Sequence, residues 1–206
     1  MNVDFSQAII VLLIIVGSVI LHELSHGLIA YWLGDRTAKD AGRLTLNPLK
    51  HIDPIMSIVV PIVLYLIGAP VFGAAKPVPV NYGNLKWREW GMALVALAGP
   101  FTNFLIALVA FLISHWTGVV NGVIVEIVHI NLGFMIFNLI PIPPLDGSRI
   151  LYALSPNPVR NILSRMERPG IFIVYILILL FGNVFSSVMI NGINGVLEFF
   201  FMLVGH

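Results

Sequence analysis

The chain has 206 residues, of which 58% are hydrophobic and only 10% are charged, and its mean hydropathy is +0.96. A soluble domain carries about 25% charged residues, so this composition excludes an ordinary soluble protein and indicates a membrane protein. The net charge of +1 gives no reason to expect a nucleic-acid partner, and the absence of cysteine excludes disulfides and thiolate metal ligands.

The first hydrophobic run predicts a membrane-spanning helix over Phe5–Leu33, which ends before Gly34. A helix of this length reaches roughly 40 Å, enough to cross a bilayer. No Lys or Arg precedes the run and no small-residue cleavage site follows it, so we expect a retained helix rather than a cleaved signal peptide. The stretch LHELSHG at residues 21–27 nevertheless places three ionisable side chains inside this apolar helix.

The segment after this helix is polar and rich in turn-forming residues over Asp35–Ile52, and its GRLTLNP motif predicts a short strand. Asp53 and Pro54 form a typical helix start, an N-cap followed by proline at the first helical position. A short apolar run follows at Ile55–Ile67. The glycines and prolines of residues 68–83 exclude a continuous helix there, and the sequence KPVPVN favours an extended backbone.

The second half of the chain predicts further membrane-crossing helices. Two long ones are expected at Trp87–Ile113 and Gly122–Leu139, and a polar, basic connector with several prolines covers Ser148–Pro169. Ile171–Phe185 begins another span, whereas the last apolar stretch, Ile193–Val204, is short for one.

These elements predict the fold class of an all-α polytopic membrane protein with about five to six transmembrane segments and a re-entrant or extended, β-like segment. We expect residues 1–154 to form the core of the protein. Residues 155–206 would add the basic connector and the C-terminal transmembrane segment or segments.

Basic residues predict the orientation, since short cytoplasmic loops carry an excess of Lys and Arg. All eleven lie in Arg36–Lys50, Lys76–Arg88 or Arg149–Arg168. The N-terminus is therefore predicted outside and the first helix is predicted to end in the cytoplasm. Because both ends of residues 34–86 then lie on the cytoplasmic side, the run at Ile55–Ile67 is either re-entrant, or it crosses as a helix and VFGAAKPVPVN returns as extended chain. Such backbone is tolerated at membrane depth where it lines a cavity.

The HELSH sequence has the spacing of a metal-binding helix. His22 and His26 are four residues apart, so their side chains share one face about 6 Å apart and can bind one Zn²⁺. Glu23 can flank the metal without binding it and accept a proton from water. The alternative is a chance match, or polar residues that bond to a neighbouring helix. A membrane setting favours a metal, because clustered ionisable groups there need a shared partner.

A zinc site of this kind needs a third protein ligand, and Asp146 is the leading candidate. It follows a predicted helix directly, in the sequence NLIPIPPLDG, on the same predicted side as the two histidines. Three prolines break the helix there, so a non-helical segment can present the carboxylate inward. The alternative is an N-cap for the segment that begins GSRILYAL.

These two motifs, with GRLTLNPLKHIDP, FGAAKPVPVN and LAGPFTN in the expected order, resemble the site-2 protease family of intramembrane zinc metalloproteases. The resemblance covers roughly Val11–Tyr152. It implies one zinc ion per chain, bound by His22, His26 and Asp146, with Glu23 as the general base. It also implies a transmembrane protein substrate, cleaved within or near its membrane segments. The predicted orientation places the active site towards the cytoplasmic side of what we expect to be a prokaryotic cell membrane.

Two asparagines also match family motifs. Asn138 corresponds to the asparagine assigned to substrate or oxyanion contact, and Asn103 to that of the third-helix motif, a candidate substrate contact. For both, the alternative is a hydrogen bond between helices, worth about 0.6 kcal/mol on average. No segment is long or polar enough for the PDZ or CBS domains of better-known members, so the chain resembles a minimal form of the family.

The stretch Lys76–Val80 is a further candidate substrate contact, through Lys76, Pro77 and Val78. Extended chain beside a metal site offers an edge to which an unwound substrate could add as a strand, although its prolines remove donors.

Two competing functions use the same cluster of histidine, glutamate and aspartate. The first is a proton- or ion-coupled membrane transporter, since intramembrane charges commonly form such relays. The sequence contains no inverted repeat of the kind that transporters often carry. The second is a metal-stabilised membrane scaffold without catalytic activity.

Overall fold

The computed structural model describes residues 5–66, 68 and 73–205. Parts of the predicted extended stretch, together with Ile67, lie outside these described residues. Within them the chain is helical and contains no strand. Apart from two three-residue 3₁₀ turns, its described helices are α1 (Phe5–Trp32), α2 (Thr37–Asp40), α3 (Pro54–Leu66), α4 (Arg88–Thr117), α5 (Gly122–Leu139), α6 (Asp146–Leu154), α7 (Asn157–Met166), α8 (Gly170–Leu180) and α9 (Gly182–Leu203).

Helices α1, α4, α5 and α9 are long and apolar enough to cross a membrane. Helices α3 and α8 are apolar but only 10–17 residues long, shorter than the roughly 20 residues that a span requires. The described residues therefore contain four candidate spans and belong to a helical, multi-pass membrane protein.

The sequence predicted the helix boundaries around the site closely. Helix α5 has both predicted ends, and α1 ends at Trp32, just before Gly34 with its left-handed φ of 107°. Asp53 caps α3 as predicted, since its carboxylate accepts hydrogen bonds from the backbone N–H groups of Ile55 and Met56. Pro54 occupies the first position of that helix, where a missing N–H costs nothing.

The strand predicted for GRLTLNP is wrong. Residues 43–47 are bends and irregular backbone, because no neighbouring extended chain pairs with them within the described residues. Their polar groups bond locally instead: the N–H of Arg43 donates to the Ala38 carbonyl, and the Thr45 carbonyl bonds to the His51 ring.

The C-terminal part also differs from the prediction. The expected helix over Ile171–Phe185 is interrupted at Phe181, where α8 ends and α9 begins. The apolar stretch Ile193–Val204 is the second half of the 22-residue α9, so it belongs to a full-length candidate span. The basic connector contains α6 and α7, two short helices with one apolar face each.

Helix α4 lies at the centre of the bundle and packs against α1, α5 and α6. One buried cluster joins α4 and α5 to α9, with Phe111, Leu132 and Phe200 among its members. A second cluster, which includes Ala30 and Val95, joins the end of α1 to the first half of α4. The contact between α1 and α4 brings the HELSH motif into the interior.

Candidate metal centre

The predicted ligands meet in the interior of the bundle. The Nε2 atoms of His22 and His26 lie 3.2 Å and 3.4 Å from one oxygen, Oδ2, of Asp146. One donor atom from each of the three residues falls within 4.8 Å of the others. Both histidines are buried, with 7% and 8% of their surface exposed. More than a hundred residues of sequence therefore separate donors that lie side by side.

The N-cap alternative for Asp146 is wrong. Leu145 is the N-cap of α6, and Asp146 is the first residue of the helix, with its carboxylate directed at the histidines. Burial tends to raise the pKa of Asp146, but its interactions with His26 and His22 outweigh burial and lower that pKa to about 2. The carboxylate is therefore ionised at neutral pH, as a metal ligand must be.

The residues fit a zinc ion. Two imidazole nitrogens and a carboxylate oxygen form a donor set typical of catalytic zinc, which keeps a further position open. Asp146 Oδ2 is buried without a hydrogen-bond partner among the described residues, so it has an unused lone pair at the point where the donors converge. A Cβ atom added at Gly99 would lie 2.5 Å from Nε2 of His22 and of His26, so glycine leaves space there.

Helix α4 supplies this space and also orients both rings. Val95, Gly99 and Asn103 are four residues apart and share one face of α4, opposite α1. His26 Nδ1 bonds to the carbonyl oxygen of Val95 at 2.7 Å, and His22 Nδ1 bonds to Oδ1 of Asn103 at 2.6 Å. Since both partners are oxygens that accept a proton, each ring in its neutral form carries its proton on Nδ1 and presents Nε2 as a lone pair towards Asp146.

Asn103 is fully buried, which does not support a direct contact with substrate. Its amide nitrogen donates to Oδ1 of Asn131 on α5 at 2.9 Å. Sequence reasoning missed Asn131. The available signal was a lone amide in an apolar helix, two helical turns before Asn138.

Glu23 lies beside the three donors without joining them. Its Oε2 atom accepts a hydrogen bond of 2.8 Å from the backbone N–H of Val78, while Oε1 has no hydrogen-bond partner among the described residues. Glu23 and Asn138 both line the 350 Å³ cavity onto which His22, His26 and Asp146 also open. The group predicted to be the base thus faces the same space as the ligands.

Residues 73–80 run along this cavity without regular helix or strand, and we call them the extended segment after the backbone that the sequence predicts. The segment is held by backbone hydrogen bonds from Ala74 to Met56 and from Lys76 to His51. Arg43 adds a side-chain clamp, because its Nη2 donates to the carbonyls of Lys76 and Pro77 at 2.8 Å and 3.2 Å.

The three predicted substrate-contact positions of this segment differ in exposure. Lys76 and Pro77 are exposed, and Pro77 lines the cavity. Val78 is buried against α1, where Gly27 leaves room for it. The β-like character of the segment stays a prediction, since no second strand pairs with it in the described part of the chain.

Comparison with known proteins identifies the family. The model of peptidase family M50 matches residues 115–182, which contain Asn138 and Asp146. The "Putative zinc metalloprotease YwhC" of Bacillus subtilis is 39% identical over 171 residues, which cover 77% of this chain and 74% of that protein. The chain belongs to peptidase family M50. This M50 peptidase is an intramembrane zinc metalloprotease, as its resemblance to site-2 proteases implied, and Zn²⁺ is its cofactor.

More distant relatives of the M50 peptidase carry similar names. The "Putative zinc metalloprotease Rip2" of Mycolicibacterium smegmatis is 28% identical over 79% of this chain and 63% of its own length. The "Zinc metalloprotease MJ0392" of Methanocaldococcus jannaschii is 27% identical over 75% of this chain and 36% of its own length. No solved structure matches the chain. None of these findings supports the transporter alternative.

Proposed function

We propose that this M50 peptidase cleaves peptide bonds within or near the transmembrane segments of its substrates, with His22, His26 and Asp146 as zinc ligands and Glu23 as the general base. One observation carries the proposal. Three zinc-type donor atoms converge beside a carboxylate in a cavity, among helices apolar enough to cross a membrane.

Each residue would have a defined task in hydrolysis. A bound zinc ion supplies a Lewis acid that polarises the scissile carbonyl and acidifies water. The N–H of Val78 fixes Oε2 of Glu23, so Oε1 is the oxygen that accepts the proton of the attacking water and returns it to the leaving amine. One amide proton of Asn138 is bonded to the Phe134 carbonyl, and the second remains to stabilise the oxyanion.

Removal of the metal tests this function. We expect the purified protein to contain one zinc ion per chain and to cut a transmembrane test substrate. A strong chelator should abolish the cleavage, and added Zn²⁺ should restore it. The Asp146→Ala variant should bind little zinc and remain inactive after zinc is added. A zinc-free wild type that cleaves the substrate would contradict the proposal.

The predicted orientation places the cavity towards the cytoplasm of a prokaryotic cell, with the N-terminus outside. Helix α3 would either be re-entrant or cross the membrane before the chain returns in extended form. Residues 1–154 would form the protease core and 155–206 an accessory C-terminal part. The chain has no cysteine, so single introduced thiols report topology cleanly. A cysteine at Lys39 should react with an impermeant reagent only from the cytoplasmic side, and a cysteine at Val119 only from outside. The reverse pattern would exclude this orientation.

The extended segment would bind substrate as an added strand. The N–H groups of Ala74, Lys76 and Val78 are already bonded, whereas the N–H of Ala75 makes no hydrogen bond to any described residue, and Ala75 lines the cavity. Ala75 therefore offers a donor to an unwound substrate, whereas the prolines at positions 77 and 79 have none.

Ala75→Pro removes this donor, and we expect it to raise KM several-fold while zinc content is unchanged. Ala75→Ser keeps the N–H and is the matched control, with a KM close to that of the wild type. Equal KM values for Ala75→Pro and the wild type would exclude strand addition at this edge.

A further inference from the structure

A chain of three hydrogen bonds runs from the backbone of α5 to the proposed metal site. The amide nitrogen of Asn131 donates to the Ile127 carbonyl at 2.8 Å. Oδ1 of Asn131 accepts from the amide nitrogen of Asn103 at 2.9 Å, and Oδ1 of Asn103 bonds to Nδ1 of His22 at 2.6 Å. Both asparagines have no exposed surface, so water does not compete for these bonds.

The carbonyl of Ile127 sets the donor and acceptor of each of these three hydrogen bonds. A backbone carbonyl can only accept, so Asn131 must turn its NH₂ group towards Ile127 and its oxygen towards Asn103. Asn103 must then offer its NH₂ group to Asn131 and its oxygen to His22. An amide oxygen accepts but does not donate, so the proton of neutral His22 is placed on Nδ1 and the lone pair on Nε2.

His26, the other proposed histidine ligand, is oriented by the protein backbone and not by a side chain. His26 Nδ1 bonds directly to the Val95 carbonyl, whose polarity is fixed by the peptide bond. The partner of His22 is a side-chain amide, which can rotate by half a turn and exchange oxygen for nitrogen. An Asn103 turned in this way would present NH₂ to the ring and favour the tautomer whose lone pair points away from Asp146.

We propose that Asn131 is a positioning residue for the metal site, which holds Asn103 in the orientation that gives His22 the zinc-binding tautomer. Asn131 makes no hydrogen bond to the three donor residues in the described part of the chain, and it does not line the cavity. It acts only through Asn103. The inference rests on the proposed role of His22 as a zinc ligand.

Zinc affinity measures this role directly, by competition with a chromogenic chelator on the purified full-length protein. Changes to the hydrogen-bond partners that support metal ligands commonly weaken metal binding 10- to 100-fold, and we expect Asn131→Leu to do so by about 10-fold. Asn191→Leu makes the same change at an exposed position of α9 and should leave the affinity unchanged. An unchanged affinity in Asn131→Leu would overturn the proposal.

The Asn103→Asp variant shows whether Asn131 orients the side chain at position 103 or only fills space beside it. A carboxylate accepts with either oxygen, so its orientation needs no external control. Adding Asn131→Leu to Asn103→Asp should therefore cause no further loss of zinc affinity. A further loss of about 10-fold would show that Asn131 acts by packing and would overturn the proposal. This comparison also serves if Asn131→Leu alone does not fold.

Zinc binding by His22→Ala and by Asn131→Leu distinguishes the role of His22 from that of Asn131. If wild type and His22→Ala bind zinc equally well, the proposed ligand set is wrong. If His22→Ala loses zinc but Asn131→Leu keeps full affinity, only the role of Asn131 is wrong.

Discussion

Replacement of Glu23 by Gln is expected to lower kcat by about 10²- to 10⁴-fold, the range that general acid–base catalysis contributes, while one zinc ion per chain is retained. Glutamine has nearly the same shape, and its side-chain oxygen can still accept the Val78 N–H. It cannot accept the proton of the attacking water. Glu23 is also outside the group of three donors, so metal binding should not need its charge.

The measurement pairs zinc analysis with cleavage kinetics on a transmembrane substrate. Glu198→Gln is the matched control, because Glu198 is an exposed carboxylate on α9 and should be replaceable without loss of activity. Asn138→Ala should also keep its zinc but lose about 10²- to 10³-fold in kcat, the usual cost of one oxyanion donor. A Glu23→Gln enzyme with wild-type turnover would contradict the assigned base. Inactivity with zinc lost would instead make Glu23 a part of metal binding.

The donor set could be predicted from the sequence because each donor follows a local rule. Spacing of four on a helix puts His22 and His26 on one face, and proline-broken chain after α5 presents Asp146. The structure places all three together. The partners of these donors follow no such rule, since Val95, Asn103 and Asn131 reach the histidines only through the packing of α4 against α1 and α5.

The strand predicted for GRLTLNP is absent because its formation also depends on a partner elsewhere in the chain. A β-like sequence favours extended backbone, but a strand forms only where a second extended chain pairs with it. Arg43 in this motif instead directs its side chain to the carbonyls of Lys76 and Pro77. The motif contacts the extended segment through a side chain, and no pattern of apolar and polar residues predicts such a contact.

The break between α8 and α9 near Phe181 is a helix boundary that the sequence did not predict. Gly182 and Asn183 follow Phe181, but a single glycine inside an apolar helical pattern is tolerated, so the sequence gives no firm boundary. The structure has the break there, which divides the segment into the short α8 and the long α9.

Gly99→Ala is expected to remove most of the bound zinc, and with it the protease activity, by adding a single methyl group. The added Cβ would lie 2.5 Å from Nε2 of both His22 and His26, closer than such atoms approach each other in real proteins. These rings cannot simply rotate away, because their Nδ1 atoms are bonded to Asn103 and to the Val95 carbonyl.

This clash can be relieved in two ways, and each of them would weaken zinc binding. Rotation of the rings breaks the bonds that present Nε2, and separation of α1 from α4 moves the histidines away from Asp146 on α6. We expect zinc content well below half an ion per chain, measured on purified protein after saturation and washing. Activity should fall in proportion to zinc.

Gly133→Ala is the matched control on α5, since nothing lies within 4 Å of a Cβ added there. In an open helical position this change usually stabilises a protein by about 0.5–1 kcal/mol, so zinc and activity should be unaffected. Full zinc content together with full activity in Gly99→Ala would mean that the ion does not lie between the two histidines. Zinc retained at the wild-type level without activity would instead assign Gly99 to the space that substrate needs. Because the same glycine faces both imidazoles, this substitution tests the position of the metal without changing any donor atom.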